Sequence, residues 1–265
     1  MASRSVLVTG ASSGIGRACA ERLAGAGWQV FAGVRERGAA PAGATELLLD
    51  VTDPVAIEAA AAAVGERLDG LVNNAGIGVA GPLEHMPLDE FRRQLEVNLT
   101  SQLALTQACL PALRAARGRV VLIGSISGKS ALPFMGAYAV TKFGLEALAD
   151  ALRVELAPDG VDVSIVEPGT IATAIWKKPQ PLADSLGEEG TERYGARMQR
   201  FRSLAEARSA RAAPVDSVAR VVEHALTAKR PRTRYLVGRD ARIRATLERL
   251  PDRLRDRLLS RVLSK

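Results

Sequence analysis

Three side chains near the middle of the chain have types and spacing that suit proton transfer. Tyr138 and Lys142 lie four residues apart in a helical pattern, which places their side chains on one face of the helix. An ammonium beside a phenol favours the phenolate, so we expect the pKa of Tyr138 to fall toward neutrality. Ser125 ends an apolar stretch typical of a buried strand and could add a hydroxyl to the same cleft. Together these groups could move a proton at an oxygen-bearing carbon.

A glycine-rich turn near the N-terminus could hold a diphosphate. Arg4–Thr9 is typical of a short buried strand, and Gly10-x3-Gly14-x-Gly16 leads from it into a helix predicted over Ile15–Ala26. Such a turn lets the backbone approach a diphosphate while the start of the helix supplies free N–H groups. The spacing differs from the commoner G-x-G-x-x-G fingerprint, so a plain tight turn is the alternative.

The residue after the second predicted strand bears on the choice of dinucleotide. Trp28–Val34 completes a β-α-β unit and Arg35 follows it. An acidic residue at this place binds the ribose diol of NAD, whereas an arginine suits the 2′-phosphate of NADP. The sequence therefore favours NADP(H) over NAD(H), and a solvated surface arginine is the alternative.

Small and polar residues follow the later predicted strands. Asp50-Val51 follows the third strand, Asn73-Asn74-Ala75-Gly76 ends the fourth, and Pro168-Gly169 follows the sixth. In a parallel sheet the carboxyl ends of the strands line the crevice in which a dinucleotide binds. The alternation of strands and helices predicts an α/β fold: a single domain with a Rossmann-like, doubly wound parallel sheet of about seven strands and helices on both faces.

Composition argues against several other classes of protein. Aromatic residues make up only 4% of the 265 residues, which disfavours a stacking platform for single-stranded nucleic acid. Cys19 and Cys109 have no CxxC or Cys/His spacing, so we expect no metal site, no disulfide and a reducing, cytoplasmic location. The N-terminus runs directly into a strand without a signal-peptide pattern, and no apolar run is long enough to span a membrane.

The positive charge is concentrated at the C-terminus. The chain carries a net +7, while residues 229–265 hold thirteen Lys/Arg against four Asp/Glu, a net +9. Within the basic tail, residues 239–265, apolar residues recur at helical spacing and Pro251 divides the pattern in two. We expect these helices to pack on the domain or on a partner subunit. Binding to anionic lipid is the stronger rival, and binding to nucleic acid the weaker.

With these motifs in order, the chain resembles the classical short-chain dehydrogenase/reductase family over about residues 4–238. Ser125 lies thirteen residues before Tyr138, which is the usual separation in that family. The family more often has a second serine where this chain has Gly124. The stretches GAYAVTKFGLEALADALRVEL and VDVSIVEPG further resemble the branch of retinol, hydroxysteroid and 3-hydroxybutyrate dehydrogenases. The motifs that carry the resemblance are Thr9-Gly10-x3-Gly14-x-Gly16, Asp50, Asn73-Asn74-Ala75-Gly76, Asn98, Ser125, Tyr138-x3-Lys142 and Pro168-Gly169.

The resemblance implies an oxidoreductase that transfers a hydride between a nicotinamide and an alcohol, ketone or aldehyde. It makes Tyr138 the general acid/base and gives Lys142 two roles, lowering the pKa of Tyr138 and binding the nicotinamide ribose. Ser125 would hold the substrate oxygen, and Asn98 would anchor a water that links Lys142 to solvent. The implied cofactor-binding residues are Gly10, Ser12, Ser13, Gly14, Ile15, Gly16, Arg35, Asp50, Val51, Asn74, Ala75, Gly76, Tyr138, Lys142, Pro168, Gly169, Ile171 and Thr173.

Substrate choice should lie in an insertion over residues 174–213. This forty-residue stretch is longer than a plain connection and mixes large apolar residues with charges. We interpret it as a partly helical lid over an apolar pocket, which suits a bulky hydrophobic substrate, with an ordinary surface insertion as the alternative. The expected substrate-binding residues are Ser125, Leu132, Phe134, Tyr138, Ile175 and Trp176.

Two other classes of function compete with the enzyme. One is a regulator that senses a dinucleotide without turnover, but such a protein would be expected to lack Tyr138 or Lys142. The other is a binding protein that acts through the basic tail. We expect a catalytic domain over residues 1–238 followed by the tail, and a homodimer or homotetramer packed through Leu88–Ala116 and Ala137–Pro158, with no nucleic-acid partner.

Overall fold

The computed structural model describes residues 3–173, 175 and 186–264 of the chain, and it contains one parallel sheet. The strands lie side by side in the order β3-β2-β1-β4-β5-β6-β7, and every neighbouring pair is parallel. The predicted doubly wound, seven-stranded architecture is therefore confirmed. The strands are β1 Ser5–Thr9, β2 Gln29–Val34, β3 Ala44–Leu48, β4 Gly70–Asn73, β5 Arg119–Ile123, β6 Asp162–Pro168 and β7 Arg234–Val237.

Helices cover both faces of the sheet. Strand residues alternate between the faces, so Leu7 packs with α2, α4 and α5, whereas its neighbours Val6 and Val8 pack with α1 and α7. Because both faces are covered, the central strands consist mainly of buried apolar residues. The α-helices of the described residues are α1 Gly14–Gly25, α2 Pro54–Ala63, α3 Leu88–Leu95, α4 Ser101–Ala116, α5 Gly136–Leu156, α6 Gly187–Ser209, α7 Val215–Thr227, α8 Arg239–Leu247 and α9 Asp252–Ser264.

The order of the strands fixes the place of a ligand crevice. β1 lies between β2 and β4, so the chain winds in one direction toward β3 and in the other toward β7. The connections that leave the ends of β1 and β4 therefore turn to opposite faces and open a crevice at the carboxyl edge of the sheet. The glycine turn follows β1 there, and Asn74 follows β4.

Most predicted elements agree with the structure to within a few residues. The helix predicted over Ile15–Ala26 is α1, and Gly27 follows its C-cap at a φ of 81°, the left-handed conformation that favours glycine. The seventh strand was not located in the sequence because its four residues carry too little pattern. The long helical pattern over Leu88–Ala116 proves to be α3, a π-helical turn at Glu96–Thr100, and α4.

The insertion and the basic tail both contain helices. The insertion over residues 174–213 contains the long helix α6, as a partly helical lid requires, and Trp176 lies outside the described residues. The basic tail forms α8 and α9, separated at Pro251 as predicted. α8 packs against β7 and against a short 3₁₀ helix, Ile126–Gly128, while α9 contacts α6.

Two further observations concern the cysteines and the character of the helices. Cys19 and Cys109 are free and buried, on helices that pack on opposite faces of the sheet. None of the helices in the described part of the chain combines the length and the apolar character needed to cross a membrane.

Candidate active site

The first turns of α5 bring Tyr138 and Lys142 to the carboxyl edge of the sheet. Both side chains are buried, with 7% and 4% of their surface exposed. The Lys142 ammonium donates a hydrogen bond of 2.8 Å to the carbonyl oxygen of Ile123, the last residue of β5. Its Nζ lies 5.7 Å from the centre of the Tyr138 ring. The ammonium is therefore anchored to the strand and stands beside the ring of the phenol.

Ser125 joins the end of β5 to the same site. Its Oγ accepts a hydrogen bond of 3.0 Å from the backbone N–H of Ser127 and so caps the short 3₁₀ helix. The Ser125 hydroxyl is also hydrogen-bonded to Tyr138. Gly124, which departs from the family pattern, packs closely on β6: a Cβ there would lie 2.9 Å from Cδ1 of Ile165. The structure thus brings Ser125, Tyr138 and Lys142 together.

Burial dominates the acid-base properties of this group. It raises the pKa of Tyr138 to about 12, although the hydrogen bond from Ser125 and the charge of Arg244 act in the opposite direction. Burial also lowers the pKa of Lys142 to about 8. The expectation that the pKa of Tyr138 falls toward neutrality is therefore wrong for this arrangement, because loss of solvent outweighs the favourable charges. Tyr138 is a protonated phenol at neutral pH.

Asn98 lies in the π-helical turn between α3 and α4 and is fully buried. Its side chain binds the backbone of Ile77 on both sides: Oδ1 accepts from the N–H at 2.8 Å, and Nδ2 donates to the carbonyl at 2.9 Å. Nδ2 also donates to Oγ1 of Thr141 on α5 at 3.1 Å. The unfavourable mid-helix asparagine therefore marks a local bulge, a feature often found at functional sites. Its role as a water anchor stays a prediction.

The glycine turn after β1 has the geometry of a ligand cradle. Gly10 and Gly14 have φ angles of 63° and 56°, in the left-handed region that favours glycine. A Cβ on Gly16 would lie 2.4 Å from both Nδ2 of Asn74 and the carbonyl oxygen of Gly10. Asn74 fixes this arrangement, because its Nδ2 donates to the carbonyl of Thr9 at 2.8 Å. The Ser13 side chain makes no capping hydrogen bond, so the N–H groups of the first turn of α1 are open to an anion.

Arg35 and Asp50 meet at the neighbouring ends of β2 and β3. Both are exposed, and Val51 beside Asp50 is buried. Oδ1 of Asp50 accepts hydrogen bonds from the N–H and the hydroxyl of Thr52, at 2.9 Å and 2.7 Å. These bonds, and the charge of Arg35, lower the pKa of Asp50. The predicted cofactor-binding residues Arg35, Asp50 and Val51 therefore lie side by side, with a cation at the outer end of β2.

The turn after β6 returns the chain to the glycine cradle. Gly169 donates its N–H to the carbonyl of Val237 at 2.8 Å. Asp240 of α8 accepts from the N–H and the hydroxyl of Thr170, at 2.7 Å and 2.8 Å. Beyond this turn, Thr173 lies against Gly14, since a Cβ added to that glycine would be 3.5 Å from the Thr173 methyl group. Asp240 was missed in the sequence because it is an isolated acid in the basic tail.

The loop before Tyr138 contacts the lid helix through Phe134. Phe134 is buried and has a φ of 66°, an uncommon conformation for a residue with a side chain. Its ring meets Tyr194 and Phe201 of α6 edge-on, with centroids 6.3 Å and 5.7 Å away. Leu132 and Ile175 are partly buried. An apolar boundary between α6 and the loop therefore lies next to Tyr138.

Arg244 is a second residue of the basic tail that sequence reasoning did not single out. It lies one helical turn after Asp240 on α8 and donates from Nη2 to the carbonyl of Ser130 at 2.5 Å. Its Nε is buried, and no other residue in the described part of the chain gives it a hydrogen-bond partner. A spacing of four from Asp240 was the available signal, but arginines recur throughout this tail. Within the described residues no group of three or more His, Cys, Asp or Glu side chains is arranged to hold a metal ion.

Comparison with known proteins gives consistent matches. The family model for short chain dehydrogenases matches residues 4–182. The chain is 40% identical to 3-amino-tetrahydro-pyrrolizinone reductase of Xenorhabdus hominickii, over 91% of this chain and 89% of the relative. It is 39% identical to mouse retinol dehydrogenase 5, over 90% and 81%. A solved short-chain dehydrogenase of Burkholderia cenocepacia in complex with NADP superposes with a TM-score of 0.77 at 26% identity, covering 99% of this chain and 98% of that one.

Proposed function

The chain belongs to the short-chain dehydrogenase family and is an oxidoreductase, and from that premise we propose that it interconverts a hydrophobic alcohol with its ketone or aldehyde using NADP(H). The predicted family and its retinol dehydrogenase branch are confirmed. The observation that carries the proposal is the buried Tyr138 phenol, hydrogen-bonded to Ser125 and placed beside the Lys142 ammonium.

The chain's own groups suit the transfer of a proton to a carbonyl oxygen. Ser125 can donate a hydrogen bond to that oxygen while Tyr138 stands next to it as the acid. Because the pKa of Tyr138 is raised to about 12 by burial, the phenol holds its proton at neutral pH and can release it as negative charge develops on the substrate oxygen. The Lys142 ammonium, fixed by Ile123, stabilises the phenolate that remains.

The crevice fits a nicotinamide dinucleotide. The Gly16 position leaves room for backbone to approach a diphosphate, and a side chain there would collide with Gly10 and Asn74. When bound, the nicotinamide would supply or accept the hydride. Arg35 at the end of β2 offers a cation for a 2′-phosphate, which supports NADP(H), with NAD(H) as the alternative. The NADP complex of the Burkholderia relative agrees with this choice.

The lid supports a hydrophobic substrate. Phe134, Tyr194 and Phe201 form an aromatic cluster where α6 meets the loop before Tyr138. Large apolar surfaces beside a few polar groups are typical of small-molecule sites. Mouse retinol dehydrogenase 5 is named for a bulky apolar alcohol, which agrees with a pocket of this kind.

A homodimer or homotetramer through α5 completes the proposal. Val140, Phe143 and Val154 expose 46%, 44% and 70% of their surface on this helix. Three exposed apolar side chains on one helix favour the burial of that helix against a second copy of the chain. Measurement of the molar mass in solution, with Phe143→Glu as the disrupting variant, tests this part.

Tyr138→Phe tests the central assignment. Removing the hydroxyl should lower kcat for reduction of an aryl or alkyl ketone by about 10²–10⁴-fold, the usual contribution of a positioned acid. The assay follows NADPH oxidation at 340 nm, and NADPH binding measured by fluorescence should be retained. Tyr235→Phe is the matched control, because it removes a buried phenol oxygen from β7, where the hydroxyl contacts His224 and Arg232. Undiminished turnover in Tyr138→Phe would contradict the proposal.

A further inference from the structure

Arg244 has a place in the site that neither proton transfer nor dinucleotide binding explains. We propose that Arg244 binds an anionic oxygen group, a carboxylate in the simplest case, at one end of the substrate whose alcohol or carbonyl oxygen meets Tyr138. This inference rests on the proposed oxidoreductase function and narrows its substrate class to hydrophobic hydroxy or oxo acids.

Contacts of two residues on α8, Asp240 and Arg244 itself, fix the position of Arg244. Asp240 holds the start of α8 on the turn after β6 through its two hydrogen bonds to Thr170. One helical turn later, the Arg244 guanidinium binds the carbonyl of Ser130. Ser130 is buried and lies in the segment that connects Ser125 with Tyr138. The tail helix thus directs a cation at the loop that carries the reacting groups.

The guanidinium has unused binding capacity. It carries five N–H donors in a fixed plane, and its Nε is buried without a hydrogen-bond partner among the residues that the structure describes. A buried donor without a partner is unfavourable, and a carboxylate oxygen satisfies such a donor with a strong, charge-assisted bond. The geometry therefore suits an oxyanion that arrives from outside the chain.

The charges around Arg244 also favour an anion. Among the described residues no carboxylate lies within ion-pair distance of it: Asp240 is bound to Thr170, and Glu248 pairs with Arg255 at 2.8 Å. Arg208, in the last turn of α6, is close enough for its positive charge to oppose that of Arg244. Burial and then Arg208 lower the pKa of Arg244 to about 10, against the smaller opposing effects of Asp240 and Glu248. Two cations within electrostatic reach of each other favour the binding of an anion.

Proximity to Tyr138 connects this anion to the substrate. The charge of Arg244 lowers the pKa of Tyr138, and Tyr138 in turn acts on Arg244. The guanidinium is therefore within electrostatic reach of the Tyr138 hydroxyl. The loop that binds it through Ser130 also carries Phe134, which contacts Phe201 of α6. An oxo acid with a hydrophobic body can place its carbonyl at Tyr138 and its carboxylate at Arg244.

The test compares acids with their neutral esters. The probes are 4-oxo-4-phenylbutanoate, 5-oxo-5-phenylpentanoate and 6-oxo-6-phenylhexanoate, each with its methyl ester, so that the spacing between ketone and carboxylate varies. kcat/KM is measured with NADPH for the wild type, Arg244→Gln and Arg244→Lys. Arg242→Gln is the matched control, since it removes an exposed arginine from the same helix. Thermal unfolding of each variant checks that it folds.

For at least one spacing, we expect the wild type to prefer the acid over its ester. Arg244→Gln should reduce that preference about tenfold or more, the value of a lost charge-assisted hydrogen bond. Arg244→Lys should restore part of it, and Arg242→Gln should leave it unchanged. If Arg244→Gln lowers kcat/KM equally for acid and ester, Arg244 only holds Ser130 in place and the inference is overturned. A wild type that prefers no acid over its ester would overturn it as well.

Calorimetric binding of the same probes to the enzyme–NADP⁺ complex separates this inference from the proposed function. If the wild type reduces none of the ketones but binds an acid in an Arg244-dependent manner, the proposed function fails and the anion site stands. If esters and neutral ketones are reduced without preference for any acid, the function stands and the anion site fails. If the acids neither bind nor react, the inference is wrong.

Discussion

The two sides of the candidate site are built by different means. The sheet-edge side consists of residues that directly follow β1, β4, β5 and β6: the glycine turn, Asn74, Ser125 and the turn at Gly169. The helical side consists of α6 and α8, which reach the loop before Tyr138 through Phe134 and Ser130. The first side is held by backbone conformation and short hydrogen bonds, and the second by side chains that contact residues far away in the sequence.

This difference separates the common chemistry from the choice of substrate. Parallel strands bring their carboxyl ends to one edge, so short motifs suffice to place cofactor and acid. The helical side depends on where α6 and α8 dock. Asp240 and Arg244 hold α8 in place through contacts with residues far away in the sequence. Changes in α6 and α8 can therefore alter specificity while the sheet-edge side stays as it is.

Gly16→Val should produce the largest effect and tests whether the sheet-edge side tolerates any bulk. Because a Cβ at this position would lie 2.4 Å from a backbone oxygen, the variant should lose at least about 3 kcal/mol of unfolding free energy or displace the turn, and NADPH binding should become undetectable. Fluorescence titration measures NADPH binding, and thermal unfolding measures the loss of stability. Gly25→Ala, in the same helix with nothing within 4 Å of the added Cβ, should bind NADPH normally and gain up to about 1 kcal/mol of stability.

Arg35→Ala tests whether the sheet-edge side also selects the dinucleotide. Losing a charge-assisted contact with the 2′-phosphate should raise the KM for NADPH by roughly ten- to a hundredfold, while the KM for NADH changes little. Arg37→Ala, two residues further along the same exposed segment, serves as the control and should change neither. Equal effects of Arg35→Ala on the two cofactors would refute selection by this residue.

The same division explains what could be predicted from the sequence. The doubly wound parallel sheet, the glycine turn and the alignment of Ser125, Tyr138 and Lys142 follow from local patterns and from the rules of parallel sheets. The pKa of Tyr138 could not be predicted, because sequence spacing gives neighbours on a helix but not the loss of solvent that raises it to about 12. Arg244 could not be distinguished from the other tail arginines, since its contact spans residues 130 to 244. Trp176, expected to bind substrate, lies outside the described residues.

Lys142 is fixed to the last residue of β5 on the sheet-edge side and should make the stability of the protein depend on pH. Its pKa is lowered by burial from 10.5 to about 8, so between these values the unfolded chain binds a proton that the folded chain does not, and stability rises with pH. Relative to Lys142→Met, the wild type should therefore gain roughly 2–3 kcal/mol between pH 7 and pH 10. Chemical unfolding of both proteins across this range measures it. If the difference in unfolding free energy between the wild type and Lys142→Met stays constant from pH 7 to pH 10, the pKa of Lys142 is not lowered by burial and the prediction is wrong.

Glu84→Gln should give the smallest effect and tests how weakly the helical side is fastened. Glu84 pairs with Arg193 of α6 at 2.9 Å and accepts a hydrogen bond from Tyr194; Glu84 and Arg193 are exposed, and Tyr194 is partly buried. Exposed pairs contribute about 0–1 kcal/mol, so the unfolding free energy should fall by less than about 1 kcal/mol. Asp89→Asn, which breaks the exposed pair of Asp89 with Arg92 on α3, is the control for a pair that does not touch α6. If Glu84 positions the lid, the KM for a bulky ketone should rise in Glu84→Gln and not in Asp89→Asn. Equal KM values would show that the docking of α6 depends on its other contacts, such as those of Phe134 with Tyr194 and Phe201.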